Sequence, residues 1–382
     1  MSAAVSGVVQ GRAKTLPEAK QWLRDRLAAR VHPMGVIDAQ AGLSLIEQLE
    51  GLDGASWTAV WKRAGDEVYA RAESAASAGD SREAERLFLK ASGLYFLGRF
   101  PCPNHPAKLE SAACERRAYL AAARYWRSPI ERHEVPFAGR DGEGDRIVCY
   151  LRRPPAVGAA PLVLMWGGVD AWKEQMTAAS DALLARGCAT IAMDNAGTGE
   201  SPVKGVADAE RVFLTVLQWA QQLPQVARAR PGLLGRSFGG YWVTKLAHLS
   251  PERIAGAVSW GGGVHHMFQR DWVEASRFPD SYLMELVETR MRMLGVSDDA
   301  GYVDAFARLS LLDQGLLDRP CAPLLLVNGK DDRQCPPADI HILLEHGSPK
   351  SVRLFPGGHM GNTPLTLPTV VDWLVTQLGR PT

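Results

Sequence analysis

Apolar residues follow two different rhythms along this chain, and the change comes near residue 130. Before it, the pattern is helical. Ala84, Leu87, Phe88, Ala91, Leu94 and Tyr95 recur at i, i+3, i+4 spacing, which places one buried face on a helix. The same reasoning predicts helices over 16–29, 38–52, 56–78, 80–97 and 108–126. Thr15 is available as the N-cap of the first, with Pro17 in its first turn. Asp80 or Ser81 caps the fourth, with Glu83 or Glu85 just inside it. Between the last two, the proline-rich stretch 100–106 breaks the periodicity.

After Ser128-Pro129 the grammar changes. Residues 130–137 and 146–151 read as strands joined by a glycine-rich turn. Short apolar runs then alternate with amphipathic segments. Strands are expected at 161–166, 188–193, 231–234, 254–259, 324–328 and 352–355, and helices at 173–186, 207–222 and 366–378. Such alternation implies a mostly parallel sheet with helices on both faces. The interval from Ser259 to Leu324 is far longer than one crossover helix needs and carries helical signals at 281–294 and 300–312. It reads as a helical insertion at about 262–318, at the carboxyl end of the sheet, where open α/β folds bind ligands. The expected organisation is therefore a helical domain over 1–130 and an α/β domain over 131–382. No fixed-period repeat is evident.

Chemistry concentrates at Gly235-Arg236-Ser237-Phe238-Gly239. The pentapeptide follows an apolar strand and precedes the helix-like run Gly240 to Ala247. Strand, Gly-x-Ser-x-Gly, helix is the context of a nucleophile elbow, a sharp turn that exposes a serine hydroxyl. A serine hydroxyl needs an imidazole base, itself oriented by a carboxylate, and in this arrangement the chain order is Ser, acid, His. Asp332 follows the strand 324–328 in Asn328-Gly329-Lys330-Asp331-Asp332, and His359 follows the strand 352–355 in Pro356-Gly357-Gly358-His359. Asp332 is taken as the acid, with Asp331 as the alternative. An oxyanion hole needs two backbone donors. The Phe238 N–H is one, and the loop Trp166-Gly167-Gly168-Val169-Asp170 supplies the other, from Val169 with Gly168 beside it.

Other residues have weaker claims. His265 and His266, in the segment that leaves the strand after the elbow, are candidates for substrate contact. Trp166, Trp260, Phe238 and Tyr241 are candidates for an aromatic pocket, although each serves equally well as core. Asp170, Lys173 and Glu174 read as an ion pair or helix cap that fixes the glycine loop. The stretch Asp194 to Ser201 has the glycines of a phosphate loop but lacks its Lys-Ser/Thr ending, so it reads as a structural turn.

Composition narrows the partners. The chain has 382 residues, 46% hydrophobic and 22% charged, with a net charge of +1. That balance is ordinary for a globular protein and argues against a general electrostatic role on nucleic acid. No apolar run approaches the roughly 18 residues that a membrane span requires, and the first twenty or so residues lack a signal-peptide core. Cytoplasmic location and a small-molecule substrate are the expectation. Cys102, Cys114, Cys149, Cys188, Cys321 and Cys335 are scattered, with no Cys-x-x-Cys pair, so free thiols are expected and no metal site is signalled.

The elbow, the Asp194–Ser201 loop and the late Asp and His together resemble the α/β-hydrolase superfamily over roughly residues 130–380. Gly167-Gly168-Val169-Asp170-Ala171-Trp172-Lys173-Glu174, Gly-Arg-Ser-Phe-Gly-Gly-Tyr and the helical N-terminal third more narrowly resemble its FrsA-like group. That group holds carbon–carbon bond hydrolases of nicotine breakdown and of fungal polyketide shortening, alongside esterases. The resemblance implies that Ser237, Asp332 and His359 form a catalytic triad, that the N-terminal helices act as a lid, that the protein is a homodimer, and that no cofactor is required. It also implies cleavage of a carbon–carbon bond beside a ketone in a mid-sized, partly aromatic substrate. A carboxylesterase is the alternative, and a binding or regulatory protein on a hydrolase scaffold the second alternative.

Overall fold

The computed structural model describes residues 12–155, 158–224, 226–227 and 229–379. Its contacts divide the chain into two compact units.

One unit comprises Arg12–Ile130 together with Tyr282–Thr289. Its helices are α1 (Leu16–Ala29), α2 (Ala39–Glu47), α3 (Gly54–Ser77), α4 (Ser81–Arg99) and α5 (Pro106–Ala123). Capping residues set their starts. Glu18 accepts from the Thr15 N–H at 2.8 Å, and the Asp80 carboxylate accepts from Glu83 N at 3.0 Å, satisfying donors that a helix terminus leaves orphaned. Small residues let α3, α4 and α5 approach closely: a Cβ on Gly65 would lie 2.7 Å from the Tyr95 ring. The core is built around Trp57, Trp61, Tyr95, Phe96 and Phe100, and the Trp57 indole donates to the Leu97 carbonyl at 2.6 Å. A fully buried Arg99–Glu115 pair at 2.5 Å sits within it. The segment 282–289, from the interval read as an insertion, belongs to this unit. Lys108 Nζ meets Glu285 Oε2 at 2.5 Å, and Lys14 donates to the Tyr282 carbonyl at 2.7 Å.

The other unit comprises Glu131–Ser281 and the chain from Arg290 onward. Eight strands form one sheet: β1 (Glu131–Pro136), β2 (Arg146–Arg152), β3 (Leu162–Trp166), β4 (Ala189–Met193), β5 (Gly232–Arg236), β6 (Gly256–Trp260), β7 (Leu324–Gly329) and β8 (Lys350–Phe355). Their order is β1-β2-β4-β3-β5-β6-β7-β8. The first two strands run antiparallel, and the six from β4 to β8 run parallel. Strands β3, β4, β6 and β7 are buried at every position, as expected when helices cover both faces. The helices are α6 (Thr177–Ala185), α7 (Glu210–Ala220), α8 (Gly239–Leu249), α9 (Arg270–Ala275), α10 (Leu286–Leu294), α11 (Asp299–Ala307), α12 (Ala338–Glu345) and α13 (Thr366–Leu378). The α10 helix begins in the helical unit and ends in this one.

Two faces can be told apart on β5. A Cβ at Gly232 would meet Leu374 of α13, whereas one at Gly235 would meet Val243 of α8. Alternation along a strand sends these two positions to opposite sides. The long β6–β7 interval resolves into α9, α10 and α11, shorter than the helices expected there, and α12 was not anticipated. Its eight residues are too short a run to show a period. No helix among the described residues is long and apolar enough to cross a membrane.

Candidate active site

The site is assembled at the carboxyl ends of the parallel strands. Chain β5 ends at Arg236, and Ser237 turns the chain with φ +54°, a left-handed conformation that L-residues rarely adopt and that marks strain at functional turns. The flanking glycines have steric causes. A Cβ at Gly235 would come within 2.2 Å of the Gly239 carbonyl, and one at Gly239 within 2.4 Å of the Gly167 carbonyl. The turn is anchored by Ser237 N–H, which donates to the Trp260 carbonyl at 2.7 Å.

Ser237 Oγ lies 2.8 Å from His359 Nε2, and His359 Nδ1 lies 2.8 Å from Asp332 Oδ2. The carboxylate is buried and fully engaged. Oδ2 also accepts from Asn328 Nδ2 at 2.8 Å, and Oδ1 accepts from the Gln334 and Cys335 amides at 2.8 and 3.2 Å. Burial works to raise the Asp332 pKa, but His359 and these hydrogen bonds outweigh it and hold the carboxyl below its ordinary range. The group thus stays anionic, as orientation of an imidazole requires. Asp331, the alternative acid, is exposed, with its amide tied to the Gly357 carbonyl.

Asn328 belongs to the strand-end motif, but no spacing signal marks a role for it. Its amide joins the acid loop to the base loop. Nδ2 donates to Asp332, while Oδ1 accepts from the Gly329 and Met360 amides at 2.8 and 3.0 Å. Cys335 is a second neighbour, with a donor atom within 4.8 Å of those of Asp332 and His359. Burial and the Asp332 charge push its thiol well above the ordinary range, so it stands as a neutral, apolar group beside the acid.

The loop after β3 passes directly over the nucleophile. A Cβ at Gly168 would be 3.0 Å from Ser237 Oγ, which is why position 168 carries none. Gly168 therefore borders the serine, Phe238 follows it at the start of α8, and the α8 N-terminus presents backbone dipoles suited to a developing negative charge. The loop is held from beneath by Lys173, which is fully buried. Its Nζ lies 2.7 Å from Asp194 Oδ2, 2.8 Å from Glu200 Oε2 and 3.4 Å from Glu174 Oε1, and its amide donates to Asp194 Oδ1 at 2.9 Å. Burial opposes the ammonium charge, but the carboxylates prevail and hold its pKa above the usual lysine range. The Asp194–Ser201 stretch is accordingly a turn that closes on Asp194, with Glu200 N–H donating to it at 2.7 Å.

Beyond β6, the chain runs past the base and then away from it. A Cβ at Gly261 would be 3.2 Å from His359 Cε1. From Val264 to His266 the backbone wraps around the buried Asp339 carboxylate, which accepts from Val264 N at 2.8 Å and His266 N at 2.6 Å. His265 Nδ1 pairs with Ser310 Oγ at 2.7 Å, and the His265 and His266 rings lie 5.3 Å apart; both residues are partly exposed. Trp260 is largely buried, and its indole donates to the Met360 carbonyl at 2.6 Å.

Two expectations of a substrate-lining role are corrected. Trp166 and Tyr241 have no exposed surface. The Trp166 indole donates to the Gly239 carbonyl at 2.8 Å and its ring packs tilted against Phe213, with centroids 4.4 Å apart. Tyr241 packs among Phe238, Trp242 and Phe268. Both are core residues that brace the elbow, because large aromatic rings at a strand end and in the first turn of α8 face the packed layer between sheet and helix.

A mostly parallel eight-stranded sheet with a serine on the β5–α8 turn, and an aspartate and a histidine after β7 and β8, defines the protein as an α/β-hydrolase. Within that class the chain belongs to the FrsA-like esterase family, whose model, described as "Esterase FrsA-like", matches residues 38–378. Esterase FrsA of Salmonella paratyphi B is 29% identical over 356 residues, covering 90% of this chain and 84% of that protein, and the Salmonella typhimurium protein matches equally. Among solved structures, 2,6-dihydroxy-pseudo-oxynicotine hydrolase superposes with a TM-score of 0.75 at 24% identity, covering 94% of this chain and 96% of the other. AbyA5 gives 0.69 at 22% identity, with coverage of 96% and 100%. These likenesses share the fold, and membership of the family makes the protein a hydrolase.

Proposed function

We propose that this protein is a carboxylic-ester hydrolase that works through an acyl-enzyme on Ser237. The observation that carries the reading is the unbroken hydrogen-bond line Ser237–His359–Asp332, with both contacts at 2.8 Å. His359 Nε2 takes the Ser237 proton as Oγ attacks the substrate carbonyl, and Asp332 steadies the imidazolium through Nδ1. The tetrahedral oxyanion is received by the Phe238 N–H and the Gly168–Val169 loop. His359 then protonates the departing alcohol. Water, deprotonated by the same imidazole, releases the acid and restores Ser237. The esterase description of the family and of its Salmonella relatives supports the choice of an ester bond.

Cleavage of a carbon–carbon bond beside a ketone is the second reading. It uses the same steps, with an enolate leaving in place of an alkoxide, and it is favoured by the sequence resemblance at Gly167 to Glu174. A homodimer remains part of the proposal on the same ground, and light scattering in solution checks it. The experiment that tests the function compares the wild-type chain with Ser237→Ala on p-nitrophenyl esters and aryl β-diketones side by side. The account expects Ser237→Ala to lose at least about 10⁴-fold in kcat on whichever class is cleaved. Full activity of that variant would sink it. No hydrolysis and no fluorophosphonate labelling of the folded wild-type protein would favour a binding role instead.

A further inference from the structure

Arg236 stands immediately before the nucleophile and, among the described residues, has no carboxylate in ion-pair contact. Position 235 faces α8, so alternation turns Arg236 to the other side of β5. There its guanidinium carbon lies 5.2 Å from the centre of the Trp260 ring. Nη1 reaches the Gln175 carbonyl at 3.4 Å, a long contact for a hydrogen bond. Nε is buried without a hydrogen-bond partner. Among the described residues Arg236 makes no ion pair, whereas Arg99, Arg152 and Arg211 each hold a carboxylate. The side chain nevertheless keeps some exposed surface.

Its surroundings belong to the site. Gln175 follows the loop that passes over Ser237. Trp260 precedes Gly261, which borders His359, and its indole is tied to the Met360 carbonyl. The guanidinium therefore sits between the loop beside the nucleophile and the loop that carries the base. Burial pulls its pKa below the ordinary arginine range, and the Asp170 charge opposes that pull. A guanidinium remains charged in proteins, and a partly buried charge with no carboxylate in contact is the arrangement that an anionic ligand relieves. Of the anions, a carboxylate matches the planar fork of arginine in bidentate geometry.

We propose that Arg236 is a carboxylate-recognition residue, and that the natural substrate carries a carboxylate group in addition to the ester. This inference rests on the ester-hydrolase reading above. It takes the site from a general acyl pocket to one that selects a substrate by charge.

The test uses the full chain and two esters of equal acyl length, p-nitrophenyl valerate and mono-p-nitrophenyl glutarate, the second ending in a carboxylate. The quantity read is the ratio of kcat/KM for the charged ester to that for the neutral one. In the wild type this ratio is expected to exceed about ten, and Arg236→Gln is expected to lower it at least about ten-fold, chiefly through KM, with Arg236→Lys in between. A wild-type preference for the neutral ester, or a ratio that Arg236→Gln leaves unaltered, overturns the inference. Should Arg236→Gln fail to fold, inhibition of the wild type decides: 4-phenylbutyrate is expected to inhibit at least about ten-fold more tightly than 4-phenylbutyramide, and equal inhibition overturns it. If the wild type is labelled by a fluorophosphonate at Ser237 but shows no charge preference, the inference alone fails. If it is neither labelled nor active on either ester, the hydrolase reading fails and the inference with it.

Discussion

Lys173 and Arg236 are two poorly exposed cations at the same sheet edge, and they are satisfied in opposite ways. Lys173 is enclosed by three carboxylates of its own chain, Asp194, Glu200 and Glu174. Arg236 has one long contact to a carbonyl and an aromatic face. The first arrangement is closed: the lysine ties the segment after β3 to the turn after β4 and so fixes the loop that lies against Ser237. The second is open, with donors in place and, among the described residues, no carboxylate in contact with them. The difference separates a cation that builds the site from one available to what enters it.

The comparison breaks most decisively at Lys173. Lys173→Met leaves three carboxylates together in a buried place without their cation, and removing one partner of a buried ion cluster costs about 3–5 kcal/mol. Urea unfolding should show that loss, and folded protein should have a kcat lowered about 100-fold with KM little changed, since a displaced loop harms the transition state. Retention of wild-type stability would remove the structural half of the contrast. Arg236→Leu should behave differently. With no ion pair to lose, its effect on unfolding should stay within about 1 kcal/mol in either direction. A loss as large as that at Lys173 would mean that Arg236 is a structural cation after all.

A smaller effect comes from Asp332, whose charge the chain satisfies in full. Its carboxyl is held below the ordinary range in the folded state, so the folded protein binds the proton less readily than the unfolded chain does. The resulting stability is complete above the unfolded pKa of about 3.9 and is lost as pH falls through the lower folded value. Acid titration of unfolding should show this slope in the wild type and a flatter one in Asp332→Asn.

Much of this was legible in the sequence because each signal was local. The spacing of apolar residues marked α1 and α13 to the residue, and the elbow is a five-residue pattern. Gly-x-Ser-x-Gly, the Asp after β7 and the His after β8 are separate short motifs, and parallel topology is what brings Ser237, Asp332 and His359 to one edge. What could not be read depended on contacts between distant segments. Residues 282–289 join the helical unit through Lys108 meeting Glu285 and through Tyr282, Leu283 and Leu286 packing into its core, pairings that no spacing encodes. The same holds for Asp339, which organises the backbone from Val264 to His266 from a helix that went unrecognised. Trp166 and Tyr241 misled for a related reason: an aromatic residue beside an elbow reads alike whether it faces a ligand or the core, and only packing decides. Arg236 lies inside the motif itself, at a position the Gly-x-Ser-x-Gly pattern leaves open to any side chain.

The central claim is that Ser237 carries the acyl group during turnover. Rapid quenching of the wild-type protein with p-nitrophenyl butyrate, followed by peptide mass analysis, tests it most directly. The account predicts a butyryl adduct on the peptide containing Ser237, appearing with the burst of p-nitrophenol and decaying at the steady-state rate. Turnover of the ester with no adduct on that peptide, or an adduct on another residue that decays at the turnover rate, would contradict it.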